Sequence, residues 1–277
     1  MFLHTWYPQP LIATLGGLQL HWYGLLLALA ALVGIGVMEL IGKRYKLDAN
    51  KLFDLALIVL VVGFIGARFY HVLNEWAYYS AHPIEAFKVW NGGLALHGGL
   101  IAGGLTLIAM AKRWKWNLWL IADIAAPAFA LAQAIGRWGN YFNQELFGLP
   151  TGRPWGIPID VLNRPPAYYT NTYFHPTFLY ESIGLLVITA GLWFLHWRRW
   201  KKSAAPQNPR YGAIALTYLI VASTLRIAVE TLRLDRTPII GGVRLPMLIA
   251  GLFIVVSLVT FIVRYLRPRA KHARPTT

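Results

Sequence analysis

Cysteine is absent from the 277-residue sequence, and this absence excludes several kinds of chemistry. The chain can form no disulfide and has no thiolate metal ligand or cysteine nucleophile, so any thiol in its chemistry must belong to a substrate. No metal-ligand spacing stands out, and no paired aspartates or Gly-x-Ser-x-Gly elbow of a protease lies in its apolar segments. We therefore expect neither a metal nor an organic cofactor. The first Lys or Arg is Lys43, so we do not expect a cleavable signal peptide, which begins with a basic segment.

Charged residues are scarce as well. They make up 13% of the sequence, against 57% hydrophobic residues, whereas soluble domains are about a quarter charged. Several apolar runs approach the roughly 20 residues that a helix needs to cross a hydrocarbon core about 30 Å thick. The sequence therefore predicts an all-α polytopic membrane protein with about seven transmembrane helices. The predicted spans are residues 21–42, 52–74, 94–112, 117–136, 177–197, 211–232 and 245–265.

Acidic residues are the rarer of the two charges, with 11 Asp and Glu against 26 Lys and Arg and a formal net charge of +15. A basic chain can bind nucleic acid, but here Lys and Arg cluster between the apolar runs, as in membrane proteins that keep positive loops in the cytoplasm. With seven spans, 17 basic residues fall on one side of the membrane and seven on the other. We therefore expect the N-terminus outside, the C-terminus in the cytoplasm and no nucleic-acid partner.

The predicted organisation is a single integral membrane domain over residues 1–277. Residues 137–176 are rich in Gly, Pro, Asn and aromatic residues and lack a run long enough to span. This composition favours a small extracytoplasmic subdomain between the fourth and fifth spans. Residues 267–277 are expected to form a basic cytoplasmic tail.

The densest polar stretch covers residues 136–148, directly after the fourth predicted span. Arg137 offers a planar guanidinium for a phosphate, and Asn140 and Asn143 can both donate and accept hydrogen bonds. Glu145 adds a carboxylate within the same nine residues. Charges at or near a membrane favour a functional site, here one for a lipid headgroup. An interfacial helix end with a structural salt bridge is the alternative.

Glycines surround one histidine over residues 92–104. Glycines in a membrane helix predict close packing against another helix, but packing does not explain His97. A histidine can exchange protons at neutral pH, which makes His97 a candidate base. A hydrogen-bonded core histidine is the alternative.

Arg226, Glu230 and Arg233 follow one another at helical spacing in the sixth predicted span. Residues four and three apart lie on one helical face, and burying such a row in lipid would be costly, so the face should point into the bundle. One glutamate neutralises one arginine, which leaves a net positive site suited to an anionic headgroup. A purely structural ion-pair network is the alternative.

Two shorter motifs open predicted spans. Tyr23, in the His-Trp-Tyr-Gly sequence at 21–24, is either an interfacial aromatic anchor or a hydroxyl facing the site. The segment from His175 to Glu181 places Pro and Glu where a helix N-terminus favours them, so a structural role is the default interpretation.

Together, these motifs resemble the prolipoprotein diacylglyceryl transferase family of bacterial membrane enzymes. The resemblance covers nearly the whole order of spans, and the block at 136–148 is its most specific part. The matching motifs are Trp22-Tyr23-Gly24, Gly-Gly-Leu through His97-Gly-Gly, Gly-Arg-x-Gly-Asn-x-x-Asn-x-Glu-x-x-Gly, His175-Pro-x-x-Leu-Tyr-Glu181 and Arg226-x3-Glu230-x2-Arg233.

The resemblance implies transfer of the diacylglyceryl group of phosphatidylglycerol to the lipobox cysteine of a preprolipoprotein, with release of glycerol phosphate, in the bacterial inner membrane. It implies as partners phosphatidylglycerol, the signal peptide that carries the lipobox cysteine, and membrane lipids. It implies an active site facing the extracytoplasmic side. An anionic lipid is consistent with the arginines, and a substrate thiol with the absence of cysteine.

Site residues carry over to the positions that match the family motifs. The expected catalytic residues are His97, Arg137, Glu145 and Arg226. The expected substrate-binding residues are Tyr23, Arg137, Asn140, Asn143, Gly148, Arg226, Glu230 and Arg233. Arginines 137 and 226 would hold the phosphate, and His97 or a neighbouring carboxylate would take the thiol proton.

One position departs from the family pattern, which usually has a Tyr four residues before the arginine matched by Arg226. Here that residue is Ala222, and Tyr218 lies one turn earlier, so no role is transferred to it. A transporter or channel is the competing class, because it would also have intramembrane Arg and Glu. A noncatalytic membrane scaffold is a third.

Overall fold

The structure is a computed structural model that describes residues 2–16, 18–201 and 211–266. The predicted tail at 267–277 lies outside the described residues. The fold is mainly helical. Its α-helices are α1 (Phe2–Thr5), α2 (Trp22–Arg44), α3 (Ala49–Asn74), α4 (Trp76–Ala81), α5 (Leu96–Arg113), α6 (Leu118–Phe142), α7 (Thr177–Lys201), α8 (Ala213–Glu230) and α9 (Leu245–Phe261).

Short antiparallel strand pairs lie between the helices. The strands are β1 (Leu11–Leu15), β2 (Leu18–His21), β3 (Ile157–Pro158), β4 (Tyr173–Phe174), β5 (Ile239–Ile240) and β6 (Val243–Arg244). They pair as β1 with β2, β3 with β4 and β5 with β6. Single turns of 3-10 helix cover Pro83–Phe87, Val89–Asn91, Val161–Asn163 and Pro166–Tyr168.

Six helices in the described part of the chain are long and apolar enough to cross a membrane, which makes this a multi-pass membrane protein. They are α2, α3, α6, α7, α8 and α9 with its continuation to Leu266. The predicted third span coincides with α5, whose 18 residues are less apolar because they include four glycines, a histidine and a basic C-terminal pair. A seventh span therefore stays a prediction.

Several helix ends differ from the predicted spans, and two of them lie at the polar motifs. Helix α6 continues to Phe142 instead of ending at 136, and α8 ends at Glu230 instead of 232. The helix α6 continues into the polar block because Arg137 and Asn140 both find partners for their side chains, so the loss of apolar character does not end the helix.

The chain forms two compact units, one of residues 35–124 and the other of residues up to 34 together with those from 125 onward. In the first unit, glycines let α5 approach α3. A Cβ on Gly98 would meet the carbonyl oxygen of Gly66, and a Cβ on Gly99 would lie 3.3 Å from that of Gly63. The close packing predicted from the glycines therefore holds at these positions. Gly104 faces open space instead.

A buried arginine organises the connection between α4 and α5. Arg68 on α3 is 7% exposed and donates hydrogen bonds to the carbonyl oxygens of Ala86 at 2.8 Å, Gly92 at 2.6 Å and Glu85 at 2.6 Å. Because buried carbonyl groups need donors, these hydrogen bonds from Arg68 stabilise the connection.

In the second unit, the start of α2 packs along α6. A Cβ on Gly139 would lie 2.5 Å from the ring of Tyr23, and one on Gly34 would lie 3.5 Å from the Cβ of Ala132. After α6, an aromatic and aliphatic core holds the segment that leads to α7. Its buried members are Tyr141, Phe147, Ile157, Ile159, Phe174 and Phe178.

Candidate active site

A buried carboxylate, Glu181, joins arginines from separate helices. Its side chain is 4% exposed, and its Oε2 lies 2.5 Å from Nε of Arg137 on α6. Its Oε1 lies 2.9 Å from Nη1 of Arg226 on α8 and 3.7 Å from Nη1 of Arg233. Since Glu181 belongs to the first turns of α7, this one side chain ties together α6, α7 and the end of α8.

A second buried carboxylate, Glu230, extends the cluster. Its side chain is fully buried, with Oε2 at 2.7 Å from Nη2 of Arg226 and 3.8 Å from Nε of Arg233. Its Oε1 accepts a hydrogen bond from Nε of Arg244 at 2.7 Å. The carboxylate thus has a basic partner on each oxygen, as a buried charge requires.

Asp235 completes the acidic set. Its Oδ1 lies 2.6 Å from Nε of Arg233 and 3.6 Å from Nη2 of Arg244. Burial alone would raise the pKa of Asp235, but the hydrogen bond from Arg233 and the charges of both arginines outweigh burial and hold that pKa below its ordinary value.

The charges of this cluster do not cancel. It contains four guanidinium groups and three carboxylates, which leaves one positive charge when all are ionised. Arg233 is 3% exposed, whereas Arg137 and Arg226 are each 26% exposed. We call these four arginines and three acids the arginine cluster. Its accessible positive groups are therefore Arg137, Arg226 and, at 24% exposed, Arg244; the first two share Glu181, which suits them to bind one anionic ligand together.

Gly148 fixes the place of Arg233. The helix α8 ends at Glu230, so Arg233 lies beyond it, and its backbone pairs with Gly148 in an antiparallel bridge. A Cβ on Gly148 would lie 2.8 Å from the Cβ of His175 and 3.0 Å from the carbonyl oxygen of Leu232. Only a glycine lets the two backbones approach this closely. The structure thus gives Gly148 a packing role that positions a site residue.

The two asparagines of the block at 136–148 hold Glu145. Asn140 donates through Nδ2 to Oε1 of Glu145 at 2.7 Å, and Asn143 donates to the same oxygen at 3.5 Å. Arg137 Nη1 donates to the other end of the Asn140 amide at 3.4 Å. Asn140 therefore links the Arg137 guanidinium to a carboxylate that is itself solvent-exposed.

The backbone around Glu145 adopts an uncommon conformation. Gln144 and Leu146 have φ angles of 52° and 57°, in the left-handed region that non-glycine residues rarely occupy. Gln144 is buried. Its Nε2 donates hydrogen bonds to the carbonyl oxygen of Pro8 at 2.8 Å and to Oδ2 of Asp160, and its Oε1 accepts one from the backbone N–H of Asp160. Strain of this kind persists only where the surroundings hold it, so the loop fixes the direction of Glu145.

Tyr23 lies beside this part of α6. Its ring rests against Gly139, which lies between Arg137 and Asn140 in the sequence. The predicted site residues of the second unit are thus brought together. Only His97 belongs to the first unit, where it is exposed at the start of α5 with its ring centroid 6.3 Å from that of Tyr70.

The motif at 175–181 forms a second polar group. Trp155 donates to the hydroxyl of Tyr180 at 2.9 Å, and that hydroxyl lies 2.9 Å from Nδ1 of His175. Burial and the nearby charge of Arg153 lower the pKa of His175. Because Trp can only donate, the Tyr180 proton is available to a neutral His175.

Sequence reasoning missed three members of the arginine cluster. The pattern around Glu181 indicates only a helix N-terminus, and no sequence motif singles out Asp235 or Arg244. The partners of Glu181 and Arg244 lie too far along the chain for helical spacing to reveal them, and Asp235 meets Arg233 beyond the end of a helix. The one available signal was that Glu181 ends a motif shared with a known family.

Comparison with known proteins gives a consistent result. The family profile described as "Prolipoprotein diacylglyceryl transferase" matches residues 10–263. A protein of Parasynechococcus marenigrum named phosphatidylglycerol–prolipoprotein diacylglyceryl transferase is 42% identical over 258 residues, which is 90% of this chain and 91% of that protein. Proteins of the same name from Nostoc sp. and Synechococcus elongatus are 37% and 39% identical. Those matches cover 95% and 88% of this chain and 91% and 83% of the relatives.

Proposed function

The chain belongs to the prolipoprotein diacylglyceryl transferase family, and we infer that it transfers a diacylglyceryl group from phosphatidylglycerol to a prolipoprotein. The protein is a membrane transferase of lipoprotein maturation. In finer detail, the acceptor is the thiol of the lipobox cysteine in the signal peptide. Its sulfur attacks the carbon of the diacylated glycerol that is bonded to the phosphate oxygen. A C–S bond forms at this carbon, and its bond to the phosphate oxygen breaks. Glycerol phosphate leaves with the electron pair, and the thiol proton passes to a base.

The observation that carries this proposal is the pair of accessible arginines held by one buried glutamate. Arg137 and Arg226 approach opposite oxygens of Glu181, at 2.5 and 2.9 Å, and both remain about a quarter exposed. In the proposal they bind the lipid phosphate and stabilise the charge that develops on the departing glycerol phosphate. A preorganised pair needs little rearrangement when that charge develops.

The acceptor thiol must lose its proton. A free thiol has a pKa near 8.5 and is mostly protonated at pH 7, so a base or local positive charge accelerates the reaction. We assign this step to His97 or to the carboxylate of Glu145. If changing His97 to Gln left turnover intact, the carboxylate would be the remaining candidate.

The other proposed site residues orient the substrates. Asn140 and Asn143 hold Glu145 through their amides, and Tyr23 offers a hydroxyl beside them. Glu230 and Arg233 support the phosphate-binding pair, and Gly148 keeps Arg233 in register.

We place the enzyme in the bacterial inner membrane with seven spans, counting α5. The distribution of Lys and Arg puts the N-terminus outside and the C-terminus in the cytoplasm. This orientation places the exits of α6 and α8, and hence the arginine cluster, on the extracytoplasmic side. Residues 137–176 then form an extracytoplasmic subdomain and residues 267–277 a basic cytoplasmic tail of one integral membrane domain. An exported signal peptide reaches the site from this side.

The reaction is tested with the purified protein, phosphatidylglycerol and a synthetic lipobox peptide. We expect a diacylglyceryl mass gain on the peptide and release of glycerol phosphate, neither of which occurs with a Cys→Ser peptide. Arg137→Ala should reduce transfer sharply. Absence of transfer from folded protein, under conditions in which a known transferase works, would contradict the proposal.

A further inference from the structure

An uncharged polar pair lies inside the second unit, away from the ends of the helices. Nε2 of Gln133 on α6 donates a hydrogen bond to the hydroxyl of Tyr218 on α8 at 2.8 Å. Tyr218 is 8% exposed, and the ring of Phe129 meets its face edge-on at a centroid distance of 6.1 Å. Polar side chains within a span are costly in lipid and mark functional positions by default.

The pair lies below the arginine cluster on the same two helix faces. Gln133 is four residues before Arg137, and Tyr218 is eight residues before Arg226. At 1.5 Å of rise per residue, these separations are about 6 Å and about 12 Å along the helices. Since Glu181 joins Arg137 and Arg226, α6 and α8 face each other at both levels.

The hydrogen bonding of this pair is incomplete. The hydroxyl of Tyr218 accepts from Gln133, so its own proton is left to donate. No acceptor for that proton is found among the described residues. The amide of Gln133 likewise has a second N–H. A buried donor without a partner is costly, which favours a ligand that only accepts hydrogen bonds.

We propose that Gln133 and Tyr218 bind the ester carbonyls of the lipid substrate, deeper in the membrane than the arginines that bind its phosphate. This inference rests on the proposed function. An ester carbonyl accepts hydrogen bonds and cannot donate them. In the lipid, a short glycerol backbone separates the two esters from the phosphate. A lipid whose phosphate lies at the arginines therefore places its esters deeper along the helices, toward this pair. With Ala222 between Tyr218 and Arg226, a small side chain leaves space along α8.

The ester groups take no part in the bond that breaks, which joins the glycerol carbon to the phosphate oxygen. They can therefore be replaced by ethers without altering the reacting atoms. The test compares kcat/KM for diester phosphatidylglycerol and for its dialkyl ether analogue of equal chain length. Both are measured with wild-type protein, Tyr218→Phe and the control Tyr265→Phe. Tyr265 also donates a hydrogen bond, at 2.7 Å to the carbonyl oxygen of Tyr211. Tyr265 follows α9 and Tyr211 precedes the start of α8, so this bond lies farther from Arg226 along the chain than Tyr218 does.

We expect the wild type to prefer the diester about five-fold, the effect of one neutral hydrogen bond. Tyr218→Phe should lose this preference by slowing transfer from the diester while leaving the ether rate unchanged. Tyr265→Phe should keep the preference. If Tyr218→Phe does not fold, Gln133→Leu serves in its place with the same expectation.

Two results would overturn the inference. One is a wild type that transfers from both lipids equally. The other is a variant that slows both lipids by the same factor, as a purely structural pair would. A wild type that transfers from neither lipid contradicts the proposed function itself, so the two failures are distinct.

Discussion

Replacement of Glu181 by Gln is the sharpest test of the arginine cluster. The change keeps the shape of the side chain and removes its charge. Unit charges about 4 Å apart interact by about 4 kcal/mol at an effective dielectric constant near 20, and Glu181 has two arginines closer than this. Desolvation offsets much of that attraction. Removing one partner of a buried pair costs about 3–5 kcal/mol, and because Arg137 and Arg226 are 26% exposed, we expect the lower end.

The effect on catalysis should separate binding from turnover. Without Glu181, the cluster gains one positive charge, so KM for phosphatidylglycerol should stay the same or fall. The arginines lose their shared anchor, and a displacement of about 1 Å in an active site can cost about 100-fold in rate. We therefore expect kcat to fall by about 10- to 100-fold in the peptide transfer assay, together with a lower midpoint of thermal unfolding in detergent.

A matched control is Glu39→Gln. Its carboxylate lies 4.0 Å from Nζ of Lys43, whose side chain is 58% exposed, and pairs of this kind contribute about 0–1 kcal/mol. This variant should keep kcat, KM and the thermal midpoint. A Glu181→Gln enzyme with unchanged kcat and thermal midpoint would refute the argument that Glu181 positions the arginines.

The remaining predictions concern packing and pH. Gly148→Ala should destabilise the protein by about 1–3 kcal/mol through overpacking, and Gly152→Ala, whose Cβ meets nothing within 4 Å, should not; thermal unfolding compares them. Gly98→Ala should likewise lower the thermal midpoint, whereas Gly104→Ala, which faces open space, should leave it unchanged. The lowered pKa of His175 means that the folded state binds fewer protons than the unfolded one. This contribution to stability is present above the ordinary pKa near 6.5 and is lost as pH falls through the folded-state pKa. His175→Asn, which keeps an acceptor, should reduce the change in thermal midpoint between pH 7 and pH 5. An unaltered pH dependence of the midpoint would contradict the assignment to His175.

Six of the seven predicted spans match long apolar helices in the described part of the chain, because the length of an apolar run reports directly on the solvent around a helix. The helix ends could not be predicted in this way. Arg137 looks like the residue that ends the fourth span, but its partner Glu181 lets α6 continue. At the end of α8, three residues at helical spacing predicted a common face, yet Arg233 meets Glu230 from beyond the helix.

The contacts of the site could likewise be predicted only in part. Contacts three and four residues apart can be inferred from spacing, and the pair of Arg226 with Glu230 is one. The contacts of Glu181 join residues 44 and 45 positions away, in both directions along the chain. Such contacts depend on how helices pack, and no local pattern specifies them.

The net charge of the local sequence motif is nevertheless the same as that of the arginine cluster in the folded protein. The local motif of two arginines and one glutamate gives one positive charge, and the packed cluster adds Arg137 and Arg244 together with Glu181 and Asp235. Each added cation thus comes with an added anion, and the surplus stays at one. A phosphodiester carries one negative charge, so a bound phosphatidylglycerol would neutralise the cluster. A lipid with an additional ammonium group would bring a second positive charge beside the arginine cluster, whose three carboxylates are already paired with guanidinium groups. The balance of the cluster therefore favours an anionic phospholipid over a zwitterionic one, because the surplus positive charge attracts the phosphate and repels the ammonium group.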